Sequence, residues 1–332
     1  MSYKLSLIIP CYNATKHIDN LFKSLTRETI FNDMEIILIN DASTDNTLRK
    51  LEVYKQKYKN VYVYSNPENL GTYDSRRNGL SKSKCKFICF MDADDTTDPT
   101  YHEELFNTII SSGSPIVSTL HVDKLLPNKK RVPAKEIKEV KINHNTLINI
   151  NSADNMTRAL MVRVPWIWTC IFNRNALKPY QSLPPSPLIF GEDDVLYYTA
   201  LITAGRILFI NTKSAYLYNQ QYETNAIINN EHKRKICSQS FARSHILLDT
   251  FLLEYNHMDF YPLITEKRKK IKEYLIKKYM DTFVTETFVN SDGIIRTVYP
   301  KQKEKERFEI LNMIEFLNKI ENAAIPDIVE KI

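Results

Sequence analysis

Glycine is scarce in this chain, with six in 332 residues, which argues against a loop-dominated or repeat architecture. The five cysteines, Cys11, Cys85, Cys89, Cys170 and Cys237, are odd in number and scattered, and no two form a CxxC pair. That usage excludes a disulfide framework or a zinc site and fits a reducing compartment. No apolar run approaches the ~20 residues needed to span a bilayer. Met1 leads straight into a strand pattern without signal-peptide character, so a cytoplasmic setting is expected. No stretch interleaves basic and aromatic residues as nucleic-acid modules do, and no nucleic-acid partner is expected. The net charge of +6 is spread out and suits anionic ligands or an anionic membrane surface without selecting either.

What is present is an alternation. Leu5–Ile9 is a β-branched, apolar strand stopped by Pro10, and Ile18, Leu21, Phe22 and Leu25 recur at helical spacing behind it. Glu35–Ile39 is a second buried strand, followed by a helix from Thr44-Asp45 to about Tyr58. Val61–Tyr64, Phe87–Met91 and Ile116–Leu120 read as further strands, separated by helices over Tyr73–Ser83 and Tyr101–Ser111. Strands alternating with helices predict an α/β fold with a doubly wound, mostly parallel sheet. Pro127–Lys141 reads as an exposed loop or hairpin, Asp154–Val162 as a helix and Gln181–Pro187 as a rigid connector. A helix opens at Gly191-Glu192-Asp193-Asp194, and Ile207–Ile210 and Ala215–Tyr218 read as short strands. From about residue 226 to 332 charged stretches alternate with Leu, Ile and Phe at helical spacing. This predicts a helical C-terminal region behind a domain of residues 1–225. Its charge runs read as solvated faces, with membrane-surface contact as the minority reading.

Four features fall at the predicted carboxyl ends of strands in one sheet, where such folds bind ligands. Pro10-Cys11-Tyr12-Asn13 offers an aromatic ring beside a polar cap. Asp41 follows strand two and could accept the imide N–H of a uracil stacked on Tyr12, or simply cap a turn. Arg76 and Arg77 are offered to phosphate, although arginine on a helix is often only solvated. Asp92 and Asp94 stand two residues apart, so in extended backbone both carboxylates share one side. Together they suit a hard divalent cation, Mg²⁺ or Mn²⁺. Alternatively, Asp92, Asp94 and Asp95 form an acidic loop capping the helix near Tyr101.

These motifs in this order resemble the family 2 glycosyltransferases, inverting enzymes of GT-A fold that use nucleotide sugars. Ser6–Asn13 is similar to the family's opening strand and turn, and Ile39–Asp45 to its second-strand motif. Asn69-Leu-Gly-Thr-Tyr73 with Arg76, Gly79 and Leu80 resembles its mid-domain signature, and Met91–Asp95 its DxD motif. Trp168–Arg174 and Gly191–Asp193 look like two later blocks. The resemblance covers roughly residues 5–218.

The resemblance implies a donor site of Pro10, Tyr12, Asn13, Asp41, Arg76, Asp92 and Ala93, with Asp41 reading the uracil of a UDP-sugar. It implies that Asp94, with Asp92, ligates the divalent cation on the donor diphosphate. It further implies Asp193 as general base beside Glu192, with Asp194 as competitor. Trp166, Trp168 and Asp194 are candidates for contact with a glycan or lipid-linked acceptor, the tryptophans being equally readable as core. Expected partners are the nucleotide sugar and that acceptor in bacterial surface polysaccharide synthesis. Peripheral contact with the inner membrane face and homo-oligomer formation through the C-terminal helices are further expectations. Acidic residues also favour helix N-termini, which is the plain alternative for Glu192–Asp194.

The chain departs from the family pattern at Ala42, where glycine is usual, and at Arg77, where asparagine is common. The stretch after Tyr218 lacks the expected His or Arg, which keeps a binder without turnover as a rival. A sugar-1-phosphate nucleotidyltransferase would bring a glycine-rich phosphate loop, and Pro10–Asn13 holds no glycine.

Overall fold

In the computed structural model of the chain, residues 3–126, 128, 130–134, 145–162, 166–186, 188, 191–219, 231–266, 269, 286–289 and 295–298 are described. The chain divides into two compact units, Met1–Glu223 and Thr224–Ile332.

The first unit opens with β1 (Leu5–Cys11), α1 (Ile18–Leu25), β2 (Met34–Asn40), α2 (Thr47–Lys57), β3 (Val61–Ser65), α3 (Gly71–Lys82) and β4 (Phe87–Phe90). Six of seven β1 residues and all of β2 and β4 are buried, as expected of parallel strands covered on both faces. Helix α1 buries Ile18, Leu21, Phe22 and Leu25, one stripe at 3.6-residue spacing. Helix α3 lies so close to the sheet that a Cβ on Gly79 would meet Ile8 Cγ2 at 2.3 Å.

The chain continues through β5 (Thr96–Thr97), α4 (Tyr101–Ser112), β6 (Ile116–Thr119), β7 (Val122–Leu125), β8 (Arg131–Pro133), β9 (Thr146–Asn149), α5 (Ala153–Val162) and β10 (Cys170–Asn173). It closes with α6 (Lys178–Ser182), α7 (Glu192–Ala204), β11 (Arg206–Ile210) and β12 (Tyr216–Asn219). The main sheet has eight strands in the order β3-β2-β1-β4-β10-β6-β11-β9. The pairings β1–β2, β2–β3, β1–β4 and β6–β11 are parallel. Strand β10 runs antiparallel to both β4 and β6, and β9 runs antiparallel to β11. The expected parallel sheet therefore carries two reversed strands, each four residues long and too short to declare a direction in sequence. A second sheet has the order β5-β12-β7-β8, and its β5 follows β4 directly in the chain. Its β7–β8 pair is the hairpin anticipated near Pro127; residues 127, 129 and 135–141 of the predicted 127–141 segment fall outside the described ones.

The second unit contains α8 (Glu231–Glu254), with Leu247, Leu248, Phe251 and Leu252 buried. It also holds an antiparallel pair, β13 (Glu286–Val289) and β14 (Ile295–Val298), where only helices were expected. The intervening Asn290-Ser-Asp-Gly293 is a turn sequence that the helical reading passed over. Helix predictions for residues 299–332 fall outside the described residues. Among the described residues, no helix is long and apolar enough to cross a membrane.

Candidate functional site

A cleft of about 520 Å³ opens at the carboxyl ends of β1, β2 and β4. Its walls include Pro10, Tyr12, Asn13, Asp41, Arg76, Asp92, Ala93, Asp94, Glu192 and Asp193. Every donor, cation and base residue anticipated from sequence therefore faces one space. Trp166, Trp168 and Asp194 are not in its lining.

Two interlocked turns build the rim. Asn13 and Ala42 both take left-handed backbone, at φ +48° and +52°, which explains why glycine is the easier residue at position 42. Asn13 Oδ1 accepts the Thr44 N–H at 2.9 Å, Ser43 Oγ accepts the Asn13 N–H at 3.1 Å, and the Asp41 N–H donates to Cys11 O at 2.9 Å. The Asn13 side chain thus holds the turn. Tyr12 is left 49% exposed on the rim, an aromatic face without a cover.

Asp41 is buried, and its carboxylate accepts from Asn66 Nδ2 at 2.7 Å and from the Leu70 and Gly71 N–H groups at 2.9 Å. It caps α3, whose amide end favours an anion, rather than the helix that follows it in sequence. A carboxylate has about four acceptor positions, so one remains for a donor in the cleft.

Beyond β4 the chain turns, the Asp95 N–H donating to Asp92 O at 3.2 Å. Burial, reinforced by neighbouring Asp92, pushes the Asp94 carboxyl up to about 6. Asp95 points the other way, into the fold, where it accepts from Tyr216 Oη and the Asn219 N–H, both at 2.7 Å. Burial and its acidic neighbours push its carboxyl well up. Among the described residues no cluster of three or more His, Cys, Asp or Glu side chains is arranged to hold a metal ion. The pair Asp92/Asp94 nevertheless suits a hard cation of the Mg²⁺ type, which takes one or two carboxylates and completes its shell with phosphate and water. Like-charged carboxylates sharing one cleft are the donor set that a divalent cation relieves.

Arg76 is the centre of the arrangement. It is 3% exposed, and its guanidinium donates to Asp193 Oδ1 at 2.6 Å, Asp92 Oδ1 at 3.0 Å and Glu192 Oε1 at 3.5 Å. Where the sequence offered Arg76 to phosphate, its fork joins the DxD loop to the first turn of α7. Burial works against its charge, but Asp193, Asp92 and Glu192 outweigh that and hold it protonated. Burial also pushes the Asp193 and Glu192 carboxyls up, against the opposing pull of Arg76. Gly191, at φ +78°, starts α7 and aims both acids at the cleft.

Arg77 points away from the cleft, correcting the expectation that both arginines meet phosphate. It donates to Asp74 Oδ1 at 2.8 Å, to Gln181 O at 2.9 Å and to Leu183 O. With Ser186 N–H on Asp74 Oδ2 at 2.9 Å, it fastens the connector leading to α7. Trp168 is 5% exposed and stacks on Tyr216 at 4.2 Å and on Trp166 at 4.9 Å, so it belongs to the core beneath the loop. Sequence reasoning missed His17, Asn69 and Thr72 in the cleft wall. It also missed Tyr216 beneath it, for which no local signal exists; Asn69 and Thr72 lay within the quoted mid-domain signature.

The sequence model of Glycosyl transferase family 2 matches residues 6–172. An uncharacterized glycosyltransferase of Haemophilus influenzae is 24% identical over 292 residues, covering 83% of this chain and 85% of its own length. The cholesterol galactosyltransferase of Borreliella burgdorferi is 35% identical over 130 residues, 39% of this chain. That match spans only 36% of the relative. The crystal structure of Staphylococcus aureus TarS 1–349 in complex with UDP-GlcNAc superposes with a TM-score of 0.56 at 18% identity, covering 91% of this chain and 97% of that one. The chain accordingly belongs to glycosyl transferase family 2 and has the GT-A fold of a glycosyltransferase.

Proposed function

We propose, on the premise of that family membership, that the chain is an inverting, cation-dependent glycosyltransferase using a UDP-sugar donor. The observation that carries this reading is the division of the cleft's carboxylates into two groups. Asp92, two residues from Asp94 in the loop after β4, meets one terminal nitrogen of Arg76, and Asp193 and Glu192 in the first turn of α7 meet the other. Inverting transfer needs one group for the leaving diphosphate and a separate one for the attacking hydroxyl.

In this reading Tyr12 stacks on the base and the remaining acceptor position of Asp41 takes the imide N–H. Asp92 and Asp94 would hold a divalent cation, which when bound neutralises charge on the departing diphosphate. The acceptor oxygen forms its bond to the anomeric carbon as the bond to the diphosphate oxygen breaks, and Asp193 takes the hydroxyl proton. A carboxyl pushed upward by burial is a stronger base than an exposed one, which suits that task. Arg76 fixes the base relative to the DxD loop. The acceptor we propose is a bacterial surface glycan or its lipid-linked precursor, by family analogy alone. The setting is the cytoplasm, with peripheral contact to the inner membrane face.

Melting curves with UDP, GDP and CDP, each with Mn²⁺ and then with chelator, test the reading. A ligand at a hundred times its Kd stabilises by about 2.7 kcal/mol. A UDP shift abolished by chelation is the expected result. A shift with another nucleotide changes the donor, and no shift with any nucleotide overturns the proposal.

A further inference from the structure

We infer that Tyr216 is a positioning residue for the carboxylate loop, acting through Asp95 from beneath the cleft. The inference rests on the proposed role of Asp92 and Asp94. The family match ends at residue 172, so the strand that does this lies beyond it.

Asp95 is 1% exposed and must find its partners inside the fold. It finds them on β12, in Tyr216 Oη at one carboxylate oxygen and the Asn219 N–H at the other, each at 2.7 Å. Asn219 Nδ2 donates to Asp94 O at 3.0 Å, and the Asp92 N–H points to Tyr216 Oη at 3.4 Å. Three of the four residues from Asp92 to Asp95 are therefore tied to two residues of one strand. Immediately afterwards β5 pairs with β12, Tyr216 opposite Thr97 and Leu217 opposite Thr96. With Asp95 drawn downward, the loop presents Asp92 and Asp94 to the cleft.

Tyr216 is itself immobilised. It is fully buried, its ring stacked on Trp168 at 4.2 Å and 21° and set edge-on to Tyr101 at 5.7 Å. Trp168 in turn stacks on Trp166, and Tyr101 Oη donates to Trp168 O at 3.1 Å. These are the chain's two tryptophans, so all indole fluorescence arises from the ring stacked on the tyrosine that holds the loop and from the ring stacked on that indole.

The test uses the full chain and four variants, Tyr216→Phe, Tyr101→Phe, Asp95→Asn and Asp95→Leu. UDP is titrated in saturating Mn²⁺ by calorimetry and by tryptophan fluorescence, and each variant is melted without ligand. Tyr101→Phe loses the hydroxyl bond to Trp168 O, Tyr216→Phe loses the bond to Asp95 and the longer approach of the Asp92 N–H, and both should melt a few degrees lower. Only Tyr216→Phe should weaken UDP binding, by about tenfold, and diminish the fluorescence response. Asp95→Asn should retain most of the affinity, because its oxygen can accept the Asn219 N–H while its amide donates to the Tyr216 hydroxyl. Asp95→Leu should lose it. Wild-type affinity in Tyr216→Phe overturns the inference while leaving the donor site intact. Equal loss in Asp95→Asn and Asp95→Leu overturns it too, since Asp95 would then act through its charge. Failure of the wild-type chain to bind Mn²⁺ and UDP overturns the donor-site reading, and this inference with it.

Discussion

Replacing Arg76 with Ala separates the two roles that an arginine in this cleft could play. The side chain is 3% exposed and serves three carboxylates. Removing one partner of a fully buried ion pair costs about 3–5 kcal/mol. Here the Asp92 and Asp193 side chains are 35% and 28% exposed, so water takes over part of the guanidinium's work and about 2 kcal/mol is the expected loss. For a unit of this size that is about 4–8 °C in melting temperature. On the proposed role of Asp193 as base, catalysis should suffer more, with kcat falling by about a hundredfold or beyond, because Arg76 no longer fixes that carboxylate. The pH profile carries a sign. Arg76 is what draws the Asp193 carboxyl down against burial, so without it the base ionises at higher pH and the acid limb of the rate profile moves alkaline. Arg76→Lys should not rescue the rate, since an ammonium cannot span two carboxylates as a planar fork does. The assay is sugar transfer across pH, with UDP and Mn²⁺ affinities measured separately. An unchanged kcat with a large loss of UDP affinity would refute the clamp and restore the phosphate reading.

Three further outcomes are expected. Asp193→Asn should keep the fold and donor affinity but lose about 10²–10⁴ in kcat, read by transfer rate beside UDP calorimetry; a normal rate would move the base to another residue. The Asp94 carboxyl, held at about 6, must lose its proton to take a cation. Mn²⁺ affinity in the presence of UDP should therefore be about tenfold weaker at pH 5 than above pH 7. In chelator the same raised carboxyl works in the opposite sense, its stabilising contribution fading as pH rises through 6, and melting curves at pH 5 and 7.5 compared with those of Asp94→Asn isolate it. Gly79→Ala should cost about 1–3 kcal/mol, because the new methyl meets Ile8 Cγ2 at 2.3 Å and Ile39 Cγ1 at 3.4 Å. An unchanged melting temperature would show that α3 slides off the sheet without penalty.

The parallel half of the fold was legible because burial on both faces leaves uninterrupted β-branched runs, as in β1 and β2. Strands β9 and β10 were not, since four residues carry neither a period nor a direction, and two-residue β5 exists only through β12. At the site, residue types and spacing sufficed to name the cleft's acids, but not their partners. Asp41 read locally as a turn cap and does cap a helix, yet that helix begins thirty residues later. Helix geometry alone could have separated the two arginines: neighbours on a helix are about 100° apart, so Arg76 and Arg77 cannot both face one cleft. Trp166 and Trp168 were ambiguous because a stacking platform and a core ladder share the same composition, and only the rings of Tyr216 and Tyr218 on Trp168 decide it.

The charge balance of the cleft bears on what it can admit. Asp41, Asp92, Asp94, Glu192 and Asp193 line it, Asp41 engaged by three N–H donors, and the guanidinium of Arg76 already serves three of the others. His17, also in the wall, has its pKa lowered by burial and by Lys16, so it adds little positive charge at neutral pH. Burial pushes Asp94, Glu192 and Asp193 upward, the direction in which protonation relieves a crowded anionic site. A bare nucleoside diphosphate brings more negative charge to that space and meets repulsion. A divalent cation brings the opposite charge but finds only two carboxylates suited to it. Each lacks what the other supplies, so the two should bind with positive coupling, and linkage requires the factor to be the same in both directions. Under the proposed function, the acidity of the cleft is then a reason for a nucleotide-sugar donor to enter as a cation complex rather than as a free anion.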